Sequence, residues 1–116
     1  MLTSLEKTVI DAILEKQGDP FDAVRAQLQY ATVSARRFTG VGFFTDFVIP
    51  PDAPVRRDLA DTTFGDIGAD LPTLKHGVGF LLFVRRGTIT MLEGFSYDEP
   101  WPDDVSGFKI KRHSAA

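Results

Sequence analysis

Apolar residues open the chain at four-residue spacing: Leu5, Val9 and Ile13 form one stripe, and Ile10 and Leu14 widen it. That period is one face of an amphipathic helix. Thr3-Ser4-Leu5-Glu6 marks its start as a capping box, in which Thr3 accepts from the first turn and Glu6 reaches back. The spacing predicts a helix over residues 3–17, stopped by a left-handed Gly18. Asp19 and Pro20 then begin a second helix that runs to about Gln29, with Phe21, Val24 and Leu28 turned inward. Together they make a helical hairpin.

At Tyr30 the helical stripe stops. Thr32 to Thr39 is rich in branched residues, and Val41 to Ile49 reads as an aromatic strand ended by Pro50-Pro51. Thr39-Gly40 is either a turn between them or part of a bulge in one bent strand. Residues 50–61 carry three prolines among charged side chains and read as a loop. Thr62 to Ala69 is a weaker strand, interrupted by Gly65 and Gly68. The strongest signal is Val78 to Val84, then Arg85-Arg86-Gly87, then Thr88 to Phe95: two strands about a glycine-bearing turn. Residues 96–107 are acidic and turn-rich, and Phe108 to Arg112 is a last edge strand guarded by lysines.

Helices first and strands afterwards specify an α+β fold: a helical hairpin packed on a mostly antiparallel sheet of four to six strands, in one domain over residues 1–116. A small β-barrel plugged by the helices is the alternative, since ten phenylalanines could fill it. Gly40-Val41-Gly42-Phe43 recurs as Gly77-Val78-Gly79-Phe80, which reads as two strands meeting the same local demand rather than as a repeat.

The strand faces carry the functional expectation. Val78, Phe80, Leu82 and Val84 share one face, but Leu81 and Phe83 occupy the other; Val41, Phe43, Phe47 and Ile49 likewise oppose Phe44 and Val48. A sheet shielded on one side by helices should alternate apolar with polar, and this one is apolar on both sides at its centre. Two short helices shelter one side only. Residues 50–75, the Pro100-Trp101-Pro102 segment, a second subunit or a ligand must cover the other. Leu81, Phe83, Phe44 and Trp101 are therefore the candidate binding residues, and a homodimer or another protein the candidate partner. Trp101, the only tryptophan, either caps the core or serves as an interface anchor.

Composition narrows the chemistry. The chain has 116 residues, no cysteine, 13 basic and 16 acidic residues and a net charge of −3. Disulfides, thiolate metal sites and cysteine nucleophiles are thereby excluded. The arginine doublets 36–37, 56–57 and 85–86 place at most one arginine on each face of a strand, and the basic tail is offset by the acids at 98–104, so no nucleic-acid partner is expected. No apolar run approaches the ~20 residues of a membrane span, and the amphipathic opening differs from a signal peptide, so a cytoplasmic protein is expected. No P-loop, dinucleotide fingerprint, HExxH or nucleophile elbow is present, and neither a cofactor nor a metal site is expected.

The weak catalytic candidates are Glu93, Asp46 and His76. Glu93 shares strand parity with Ile89, Met91 and Phe95, and Asp46 with Phe44 and Val48. A carboxylate on an apolar layer is either an acid–base group or one half of an ion pair, here with Arg36, Arg37 or Arg85. His76 precedes Gly77 and Gly79 and reads as a general base or as a loop histidine bonded to backbone; His113 lies in the final residues. A small enzyme or small-ligand sensor built on these three is the alternative to a binding protein.

The segments Arg37–Thr45, His76–Val84 and Leu92–Tyr97 with Trp101-Pro102 together resemble a family of small bacterial proteins of about this length that has no assigned activity. The resemblance spans nearly the whole chain, implies a bacterial source and supplies no catalytic motif. By analogy of size and class it implies a non-enzymatic binding role, such as that of immunity proteins that block a toxin.

Overall fold

The computed structural model describes residues 1–112, so His113 lies outside the described residues. Helix α1 spans Ser4–Gln17 and begins as the capping box requires: the Thr3 hydroxyl accepts from the Glu6 N–H at 3.1 Å, and Glu6 accepts from the Thr3 N–H at 2.8 Å. Its apolar stripe is buried, with Val9, Ile10, Ile13 and Leu14 fully shielded. Gly18, at φ 78°, ends it. The second helical segment is less regular. A 3-10 turn at Asp19–Phe21, helix α2 at Asp22–Ala26 and a 3-10 turn at Gln27–Gln29 together cover the predicted span.

Seven strands follow: β1 Thr32–Phe38, β2 Gly42–Val48, β3 Thr62–Phe64, β4 Ile67–Asp70, β5 Val78–Arg85, β6 Thr88–Ser96 and β7 Lys109–Arg112. They form one antiparallel sheet in the order β1-β2-β6-β5-β4-β7, with β3 also paired to β5. β3 and β4 lie along the same edge of β5: Phe64 pairs Leu82, Gly68 pairs Gly79, and three residues face two across the break. The segment from 62 to 70 is thus one strand interrupted by a bulge at Gly65, and the sheet is six strands wide. It is open, ending at β1 and β7, so the barrel alternative does not hold.

Two turns explain the strongest hairpins. Arg86 and Gly87 both have positive φ, 54° and 70°, as the two-residue type I′ turn between β5 and β6 requires. Between β1 and β2, Thr39 donates to the Gly42 carbonyl at 3.0 Å and Gly40 takes φ 86°, so a turn separates two strands there.

The core lies between α1, α2 and one face of the sheet, where Phe43, Phe80, Leu82, Val84, Ile89 and Leu92 meet the helical stripe. Each such side chain contributes roughly 1.5–3 kcal/mol through burial. Gln27 is fully buried and fully bonded: its amide N–H groups donate to the Pro54 and Gly87 carbonyls at 2.8 Å, and its carbonyl accepts from Ile89 N–H at 2.9 Å. It fastens the 50–61 loop and the β5–β6 turn to the helical side. No helix among the described residues is long and apolar enough to cross a membrane.

Candidate functional site

Strand register builds the second, outer face in rows. Arg37, Phe44, Glu93 and Leu81 stand side by side across β1, β2, β6 and β5. The next row holds Ala35, Asp46, Met91, Phe83 and Thr63. On the other side of the first, Phe95 pairs with both Gly42 and Gly79. The recurrent glycine of the two similar segments meets a different demand in each: a Cβ at Gly42 would strike the Gly94 carbonyl, whereas Gly79 borders the Phe95 ring. A Cβ at Gly79 would meet the Phe95 ring at 2.7 and 2.8 Å, so the missing side chain is what gives this aromatic its room. Tyr97 packs edge-on against Phe95, with ring centroids 5.6 Å apart.

Among the described residues, no helix or loop seals this face. The 50–61 loop is tied to the helical side through Gln27, while Leu59, Leu71, Leu74, Trp101 and Val105 pack against the helical-side core. Phe44, Leu81, Phe83, Met91 and Phe95 stay half-buried and stand outside that core. Charges frame them. Arg37 lies over the Phe44 ring at 5.3 Å and donates to both Asp46 carboxylate oxygens at 3.2 Å. Arg85 lies over Phe83 at 5.3 Å and donates to the Thr62 carbonyl at 2.9 Å.

Glu93 stands in the middle of the outer face, half-buried between Phe44 and Leu81, with no hydrogen bond or ion pair among the described residues. The expected arginine partner is absent because Arg36 stands on the helical face, Arg37 takes Asp46 and Arg85 bonds to β3. Glu93 shares its face with Met91 and Phe95 as expected, but Ile89 lies buried on the other. The β5–β6 register shifts by one residue at Thr90, which reverses parity beyond it. Glu93 and Asp46 are diagonal neighbours on adjacent strands. His76 stands apart from both. It is exposed ahead of β5, five residues from Leu81, on the order of 15 Å along a strand, and its backbone N–H donates to Glu99 at 3.2 Å.

The opposite side carries a second feature that sequence reasoning missed. Glu6, only 2% exposed, takes hydrogen bonds from Arg36 at 2.7 and 3.0 Å and from the Thr45 hydroxyl at 2.6 Å. Burial pushes its carboxyl pKa up, but hydrogen bonds from Arg36, Thr45 and the Thr3 backbone, with the arginine charge, outweigh this and hold it below its ordinary 4.5. The buried Glu6 and the partly exposed Arg36 line a cleft of about 370 Å³ walled by Phe38, Phe43, Trp101 and Val105, with Asp103 at its rim. Trp101 sits edge-on to Phe43 at 5.2 Å, and its backbone N–H donates to the Gly40 carbonyl at 2.8 Å. Trp101 therefore caps the helical-side core, away from Leu81, Phe83 and Phe44. None of Glu93, Asp46 and His76 lines the cleft. Among the described residues no cluster of three or more His, Asp or Glu could hold a metal ion.

No family model, no curated protein and no solved structure matches the chain.

Proposed function

We propose that the protein is a non-catalytic bacterial interaction module of the cytoplasm that pairs with a second copy of itself through the outer face of its sheet. One observation carries this reading: Phe44, Leu81, Phe83, Met91 and Phe95 stay partly exposed around Glu93 on the outer face, outside the core on which the helices and the 50–61 loop pack. Four strands at about 4.8 Å spacing and eight residues at about 3.3 Å rise give roughly 500 Å² of flat face per copy. Two facing copies then bury on the order of 1,000 Å², the lower end of specific association. Sheets of this kind stack face to face about 10 Å apart, so two copies form a sandwich with helices outside. The immunity-like form of the idea uses the same face to hold a toxin protein instead.

Sedimentation equilibrium tests the proposal. The wild-type chain is expected at twice its 12.8 kDa mass at micromolar to submillimolar concentration, and Phe83→Asp at the monomer mass with an unchanged circular dichroism spectrum. A wild-type monomer throughout that range overturns the dimer. A monomer that instead binds a toxin encoded beside its gene, and loses it with Phe83→Asp, assigns the face to the immunity-like role.

A further inference from the structure

The cleft on the helical side has the makings of a ligand site. Phe38, Phe43 and Trp101 supply three aromatic walls, and the Phe38 and Phe43 ring centroids are 6.5 Å apart. Its volume of about 370 Å³ falls in the range of small-molecule pockets. Its electrostatics narrow the choice. The guanidinium that lines it, Arg36, is held at 2.7 Å by the buried Glu6 carboxylate, which also answers the positive end of α1. The segment that forms the outer wall carries Asp98, Glu99, Asp103 and Asp104 and no basic residue. Asp103 at the rim is exposed and has no ion pair among the described residues. The Arg36 charge is offset by Glu6, which leaves Asp103 as the unpaired charge beside the aromatic faces, and that combination attracts a cation.

We propose that this cleft binds a small organic ammonium ion, a positively charged nitrogen carried on an apolar body. The nitrogen sits against the Trp101 and Phe38 rings within reach of Asp103, and the apolar body enters toward Phe43 and Val105. The proposal is independent of the outer face, which lies across the sheet.

Trp101 is the only tryptophan, so its fluorescence reports the site directly. Benzyltrimethylammonium titrated into the full-length protein is expected to change that emission saturably, with a Kd of about 1 mM or tighter. Choline is expected to bind about tenfold more tightly than 3,3-dimethylbutan-1-ol, its uncharged carbon isostere. Asp103→Asn, a change at an exposed position, is expected to weaken both ammonium probes by about threefold or more at low salt, with folding unaltered. Equal binding of choline and its isostere, or no effect of Asp103→Asn, overturns the cation assignment. No saturable response to benzyltrimethylammonium overturns the site.

Discussion

Glu6 shows how one side chain can serve two scales. Its bond to the Thr3 backbone, three residues away, is a local capping device, whereas its bonds to Arg36 and Thr45 span 30 and 39 residues and pin α1 to the first two strands. Truncating Arg36 strands a carboxylate in the core, a loss of about 3–5 kcal/mol. Arg36→Ala is therefore expected to lower the urea midpoint far more than Arg37→Ala, whose ion pair with Asp46 is largely exposed and worth under about 1 kcal/mol. The pH dependence follows in sign. Because the folded state holds the Glu6 pKa below 4.5, its contribution is complete above about pH 4.5 and is lost as pH falls through the lowered value. Thermal unfolding at pH 7 and pH 3 checks this: the midpoint should fall with acid, and fall less in Glu6→Gln. The capping box was legible because its partners are three residues apart. The Arg36–Glu6 ion pair was not, since nothing in a linear pattern says which arginine of Arg36-Arg37 stands on the helical face to meet Glu6.

Elements were legible to the extent that their cause is local. Helix α1, the Arg86-Gly87 turn, the weak strand broken at Gly65 and the terminal strand β7 all follow from caps, periods and turn residues that lie beside them. Parity failed at one bulge. An alternating pattern assigns Ile89 to the side of Glu93, but the extra residue at Thr90 returns Ile89 to the core, where an isoleucine gains most from burial. The order of strands was equally out of reach, since β2 pairs with β6 and leaves β3 to β5, a choice made by long-range packing. Gln27 belongs to the same class: a polar residue in a helical stripe whose three bonds reach 27, 60 and 62 residues along the chain. Gln27→Leu would orphan two carbonyls and one N–H in the interior. It is expected to cost about 3 kcal/mol or more, read by chemical denaturation, and to raise hydrogen exchange at Ile89.

At the scale of the molecule, a sheet six strands wide with helices on one side has two chemically different faces, and β5 runs through both. Leu82 and Leu81 are neighbours in sequence with opposite surroundings: Leu82 is wholly enclosed by the core, whereas Leu81 lies half-open beside Glu93. Sequence alternation made that contrast visible in advance, and only the three-dimensional course of the loops decided that no helix or loop among the described residues closes over the outer side. The contrast has a measurable consequence under the self-association proposal. Leu82→Ala should destabilise by about 2–5 kcal/mol at every protein concentration, because the cavity it leaves lies within one copy. Leu81→Ala should cost less than Leu82→Ala in dilute solution, where its side chain is already partly exposed. Its penalty should grow with concentration as the wild-type melting temperature rises by mass action and that of Leu81→Ala lags behind. Melting curves of the three proteins across about a hundredfold range of concentration separate the two faces. A wild-type midpoint that stays constant over that range assigns all the stability of the fold to the single copy and leaves the outer face without a role in assembly.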